Sequence, residues 1–153
     1  MLPLIILTGP TNSGKSETAL ALARKLDTEI ISADSMQVYK YFDIGTAKPS
    51  LSAREEIPHH LIDILDPDEE FNAFDFKLRA LKIIRELMDR DKIPILVGGT
   101  GLYIKVLTED YDCAEGGSPE IREKIRQDIR DQGVERVYRE LQRVDPEYAA
   151  KIC

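Results

Sequence analysis

Gly9-Pro10-Thr11-Asn12-Ser13-Gly14-Lys15-Ser16 follows the apolar run Leu4 to Leu7 and opens an alanine- and leucine-rich stretch that reaches Leu26. The octapeptide matches G-x-x-x-x-G-K-[ST], and its flanks supply the strand and helix between which that pattern cradles phosphates. Glycines at 9 and 14 let the backbone curl so that successive N–H groups face one anion. The start of the helix adds its positive dipole end. All eight residues are therefore candidate phosphate binders, with Lys15 reaching the outer phosphates and the Ser16 hydroxyl ligating Mg²⁺. Loops of this type are nucleotide-binding and often ATP-binding, but the sequence of the loop does not say which phosphate compound it holds.

Outward from the loop, strands and helices alternate: strand Leu4–Thr8, helix Lys15–Leu26, strand Glu29–Ala33. That alternation predicts an α/β fold, a P-loop NTPase-like parallel sheet flanked by helices. From about Tyr41 to Phe71 the chain reads as loop, fitting either a mobile cover over a substrate or a plain surface excursion. Asn72 and Asp75 form a capping pair for a helix running to about Arg90, with a predicted apolar stripe of Phe74, Leu78, Leu81, Ile84 and Met88. Ile93 to Val97 reads as a buried strand. It ends at Gly98-Gly99-Thr100-Gly101, glycines that mark close approach of backbone to a ligand, and a short helix follows from Leu102 to Leu107. Asp110 to Gly117 is the expected boundary. Ser118-Pro119 starts another helix, Gly133 breaks it, and Asp145-Pro146 opens a last one. The expected division is a core over 1–112 and an appended helical insertion over 113–153.

The 153 residues are 42% hydrophobic, enough for one core, and contain no apolar stretch of membrane-spanning length. The expectation is a soluble, cytoplasmic protein without a leader, monomeric, with Cys113 and Cys153 as unpaired thiols rather than a disulfide or zinc site. The net charge is −7. Residues 1–117 hold 13 Lys/Arg against 20 Asp/Glu, whereas 118–153 hold 8 of each. A polyanion would be repelled by much of the body and would need a local basic face or the phosphate site. Solvated helix faces with i,i+4 pairs account equally well for most of the later arginines.

Three polar segments fall at strand ends, where open α/β sheets bind ligands: the loop at 9–16, Ala33-Asp34-Ser35, and Thr100. Asp34 can take a proton from a nucleophile or help hold a metal through water, and equally can cap a helix starting near Ser35. Thr100 can touch a leaving oxygen or serve as a simple cap. His59 and His60 have no partner at metal-ligand spacing and read as structural. Tyr39, Tyr41 and Tyr103 read as packing. Ile95-Leu96-Val97 ends in glycine rather than the Mg²⁺-binding Asp of a motor or switch ATPase. Two reaction classes remain, phosphoryl transfer to an acceptor held by Asp34 and displacement of diphosphate from a carbon centre.

GPTNSGKS (9–16), EIISADSMQVYKYFDIGTAKP (29–49), PHHLIDI (58–64) and PILVGGTGLYIK (94–105) resemble, in order, the signature blocks of the tRNA dimethylallyltransferase family. Residues 119–152 resemble the start of that family's helical tRNA-gripping insertion. The resemblance implies transfer of a dimethylallyl group from dimethylallyl diphosphate to N6 of the adenosine 3′ to the anticodon in tRNA, with Asp34, Thr100 and Lys15 as catalytic residues. By the same resemblance Ser35, Met36 and Gln37 join Asp34 and Thr100 around the adenine, and Arg122 contacts tRNA. Family members run on past the position of Cys153, through an arginine-rich block that contacts diphosphate, so the expectation is a chain lacking its C-terminal part. The alternatives are an isopentenyltransferase acting on adenylate, a P-loop small-molecule kinase, or a non-catalytic phosphate- or RNA-binding fragment.

Overall fold

In the computed structural model, residues 3–109 and 118–152 are described. The boundary expected at 110–117, with Cys113, and Cys153 lie outside them. The chain divides into two compact units, Met1–Ala114 and Glu115–Cys153.

The first unit is a parallel sheet of β1 (Ile5–Thr8), β2 (Ile30–Ser32), β3 (His59–His60) and β4 (Ile95–Gly98), in the order β1-β4-β2-β3. Alternation along each strand sends neighbouring residues to opposite faces. Ile30 and Ile95 pack with Ala19 and Ala23 of α1 (Lys15–Leu26), while Ile31 and Leu96 join the larger cluster around Phe76, Ile84, Leu87, Tyr103 and Val106. Helices α3 (Ala73–Met88) and α4 (Gly101–Thr108) supply that second face. The predicted α/β architecture is therefore present, and β4 sits centrally because both of its faces are apolar.

The predicted start of α3 is observed as a full capping box: Asn72 Oδ1 accepts from the backbone N–H groups of Phe74 and Asp75, and Asp75 accepts from Asn72 N. The predicted stripe is right at Ile84, with Met88 packed against the same core, and misses the rest of the buried face. Phe76, Ala80, Ile84 and Leu87 are the buried positions, and Leu78 is 54% exposed. Phe76 stacks on Tyr103 with ring centroids 4.2 Å apart, tying α3 to α4. The stretch read as loop contains α2 (Leu51–Glu56) and the two-residue β3. His59 and His60 form a strand because their backbone groups complete the edge of β2, not because histidine favours extended chain.

In the second unit, α5 (Pro119–Gln132) is capped by Ser118, whose Oγ accepts from Ile121 N. Gly133, at φ 81°, separates α5 from α6 (Val134–Val144), and Asp145 caps α7 (Pro146–Ala149) through Tyr148 N. The Tyr138 hydroxyl donates to the Ala149 carbonyl, holding α7 to α6.

Candidate active site

The loop between β1 and α1 curls through positive φ at Gly9 (153°), Asn12 (64°) and Gly14 (81°). Gly14 is the N-cap of α1 and offers no side chain, so the first-turn N–H groups remain available to an anion. Lys15 Nζ donates to the Pro10 carbonyl at 2.5 Å, keeping the ammonium over the loop. Thr11 through Ser16 line a cavity of about 510 Å³, whereas Gly9 and Pro10 are not part of its lining.

Asp34 lines the same cavity. Its Oδ1 accepts from Met36 N at 2.8 Å and Gln37 N at 3.3 Å, so the carboxylate caps the turn after β2; no helix starts there. Among the described residues nothing is hydrogen-bonded to Oδ2. The cap expected at the start of a helix near Ser35 is thus a cap on a turn, and it occupies Oδ1 alone. Met36 and Gln37 also line the cavity. Ser35 and Thr100 do not: Ser35 N donates to Thr100 Oγ1 at 3.1 Å, and Thr100 N donates to the Ala33 carbonyl. Thr100 is the N-cap of α4 without making a side-chain cap bond, so its hydroxyl ties that helix to the Asp34 turn. Arg122 lies exposed on α5 in the second unit.

Gly98 also meets a requirement within the fold. Its close neighbour is backbone, since a Cβ there would fall 2.1 Å from the Ala33 carbonyl oxygen. The approach joins the ends of β4 and β2 and so brings the Asp34 turn beside the glycine turn; Gly98 and Gly99 line the cavity as well.

The sequence reading missed a further part of the lining: Ser32, Gly45, Thr46, Ala47, Pro49 and His59. Only their membership in the family-like blocks 29–49 and 58–64 signalled them. His59 Nδ1 bonds the Ile57 carbonyl at 2.6 Å, and burial, helped by nearby Arg54 and His60, outweighs that bond and holds its pKa below the usual histidine value. His60 is structural, paired with Glu29 at 2.6 Å, which Arg90 also bonds at 2.7 Å. Tyr103 is core; its phenol is pushed up to about 12 by burial and, secondarily, by Tyr39, Asp34 and Asp75. Tyr41, by contrast, is 77% exposed and packs in no core.

For a cation the cavity offers hard oxygens, the Ser16 hydroxyl and Asp34 Oδ2, and among the described residues there is no cluster of three or more His, Cys, Asp or Glu. That donor set fits Mg²⁺ held chiefly through phosphate and water, not a transition metal in a protein cage.

A glycine-curled anion loop at the head of α1, on a parallel sheet with helices on both faces, defines a P-loop NTPase-like α/β protein. Residues 37–153 match the family described as IPP transferase, and the chain belongs to that family. It is 47% identical over 151 residues to the tRNA dimethylallyltransferase of Syntrophobacter fumaroxidans, covering 99% of this chain and 44% of the relative. It is 49% identical to that of Alkaliphilus oremlandii, covering 97% and 48%. The chain thus spans about half the length of the curated relatives it matches. Among solved structures, the tRNA isopentenylpyrophosphate transferase of Bacillus halodurans superimposes with a TM-score of 0.71 at 39% identity, over 100% of this chain and 51% of that one. A eukaryotic dimethylallyltransferase acting on tRNA superimposes with a TM-score of 0.82 at 34% identity, over 98% and 37%. Among the described residues no helix is long and apolar enough to cross a membrane.

Proposed function

We propose that this chain carries the phosphate-binding and proton-accepting part of a tRNA dimethylallyltransferase, which joins the dimethylallyl group of dimethylallyl diphosphate to N6 of the adenosine 3′ to the anticodon. The observation that carries the reading is one cavity lined both by the anion loop and by Asp34. The names of the relatives and of the tRNA-acting structural neighbour support the same activity. In the reaction the N6 lone pair forms a bond to C1 while the C1–O bond breaks and its electron pair leaves with the diphosphate. An exocyclic adenine amine is a weak nucleophile, its lone pair delocalised into the ring. Asp34 Oδ2 therefore accepts the N6 proton as the new bond forms, from a carboxylate whose orientation the Met36 and Gln37 amides fix.

The loop amides and Lys15 stabilise the charge growing on the departing diphosphate, where preorganised donors count most. Ser16 would hold Mg²⁺ together with the phosphates, and the bound ion would supply further charge neutralisation. Thr100 acts through the Ser35 amide to keep the Asp34 turn against the cavity. The base must leave its stack to reach Asp34, and residues 34–37 form the side of the cavity that receives it. Arg122, in the second unit, is a contact to tRNA. The setting is the cytoplasm, where tRNA is available.

The test uses the protein at its natural length, labelled dimethylallyl diphosphate, and tRNA lacking the modification. Label in RNA from wild type, and its loss when the target adenosine is replaced by guanosine, is the expected result. Labelling of free AMP with none in tRNA, or phosphoryl transfer from ATP, would reject the proposal.

A further inference from the structure

Part of the cavity wall comes from the segment 43–49, which contains neither helix nor strand, yet Gly45, Thr46, Ala47 and Pro49 all line the cavity. Two side chains tie it down. Gln37 Oε1 accepts from Ser32 Oγ at 3.0 Å, and Gln37 Nε2 donates to the carbonyls of Thr46 at 3.0 Å and Ala47 at 3.2 Å. Both amide hydrogens are thereby used, so the carboxamide has no donor left with which to read a base. It bridges the end of β2 to the wall instead.

Lys48, with a side chain only 3% exposed, donates to the Tyr39 carbonyl at 2.7 Å, Asp43 Oδ1 at 3.0 Å and Asp63 Oδ1 at 2.6 Å, which exhausts its three hydrogens. Asp63 is completed by Arg54, whose Nη1 donates to Oδ2. Burial disfavours the Lys48 ammonium, but the two aspartates outweigh it and keep the charge in place. The segments joined here hold four non-glycine residues in the left-handed region: Tyr41 (67°), Ala47 (51°), Leu61 (61°) and Asp63 (54°). Backbone of that kind persists where surrounding contacts overdetermine it, and it clusters at ligand clamps.

We infer that Gln37 and Lys48 are positioning residues that hold 43–49 as a preformed wall of the cavity, fixing its shape before the acceptor base enters. The consequence for prenyl transfer rests on the function proposed above; the latch itself does not. Its predicted signature is a wall that loosens while the phosphate grip is untouched, because neither side chain bonds the loop at 9–16.

The experiment uses the protein at its natural length with the variants Gln37→Glu, which keeps shape and acceptor but sets a carboxylate against two carbonyls, and Lys48→Met, which keeps length and removes three donors. Amide hydrogen exchange, calorimetric titration with inorganic diphosphate and Mg²⁺, and steady-state transfer to tRNA are measured on each. Exchange in 43–49 is expected to rise roughly tenfold or more in both, with β1, β2 and β4 unchanged. The diphosphate Kd should stay within about threefold, while kcat/KM for tRNA falls by roughly tenfold or more. Gln37→Asn and Lys48→Arg serve as milder variants should either first change prevent folding, with intermediate exchange expected. Unchanged exchange in 43–49 would overturn the latch, and faster exchange with unaltered tRNA kinetics would overturn the wall's part in shaping the site for the acceptor base. A wild type without prenyl transfer would remove the function reading and leave the latch to be judged by the exchange and diphosphate results alone.

Discussion

An alanine at Gly98 would bring its Cβ to 2.1 Å from the Ala33 carbonyl oxygen, in a place where only backbone could move aside. Gly98→Ala is expected to destabilise the fold by about 3 kcal/mol, the upper range of core overpacking, read as a lower urea midpoint. Lys15 belongs to the site rather than the fold: Lys15→Ala removes a charge-assisted donor worth about 1.5–3 kcal/mol. Calorimetry should register a diphosphate Kd raised by roughly 10- to 100-fold with the melting temperature unchanged. Both glycine clusters and the lysine were legible in the sequence, since a phosphate loop is written in consecutive residues. Gly98 was legible only as a glycine whose backbone comes close to something. That the neighbour is Ala33 depends on the pairing of β2 with β4, which no local pattern encodes. The Gln37 latch was hidden for a related reason, because its partners are the carbonyls of Thr46 and Ala47, and any residue type supplies a carbonyl.

Helix α3 is the element whose reading went astray, and its two faces make a direct comparison. Phe76→Ala should cost about 3–5 kcal/mol in chemical denaturation, because the ring is buried and stacked on Tyr103. Leu78→Ala should stay within about 0.5 kcal/mol of wild type, since Leu78 faces water. The sequence AFDFKLRALKIIRELM carries apolar residues on more than one face, and the small Ala80, fully buried, gives little weight to the true stripe. The capping box at Asn72 and Asp75 was readable because its partners lie three residues apart.

At the sheet edge, Glu29 bonds His60 on β3 and Arg90 just beyond α3. Burial pushes the Glu29 carboxyl up, but the hydrogen bonds from Arg90 and His60 together hold it below its ordinary value of 4.5. A depressed carboxylate stabilises the fold above its unfolded pKa, and that contribution is lost as pH falls through the lower folded value. Glu29→Gln should therefore cost on the order of 2 kcal/mol near pH 7. The gap to wild type should narrow as pH drops below 4.5, measured by urea denaturation across that range.

Across the whole molecule, the fold class followed from the alternation of strands and helices. The family resemblance rested on four ordered blocks, and the match over 37–153 agrees with it. The segment from 41 to 71 was least legible, because α2 and β3 are too short for periodicity and exist through what they pack and pair with. Its functional side, the wall at 45–49, appears only once the chain has closed on itself. Acidic overall, with its arginines concentrated in 118–153, the chain can meet a polyanion only locally.

The central claim is that the anion loop and Asp34 work on one substrate pair in one cavity, and Asp34→Asn tests it most directly. With the protein at its natural length, single-turnover transfer from dimethylallyl diphosphate to unmodified tRNA should slow by roughly 10²- to 10⁴-fold, as expected for loss of a general base. Diphosphate affinity should stay within about threefold of wild type, because the loop and Lys15 are untouched. An Asp34→Asn protein that transfers the prenyl group at the wild-type rate would contradict the account.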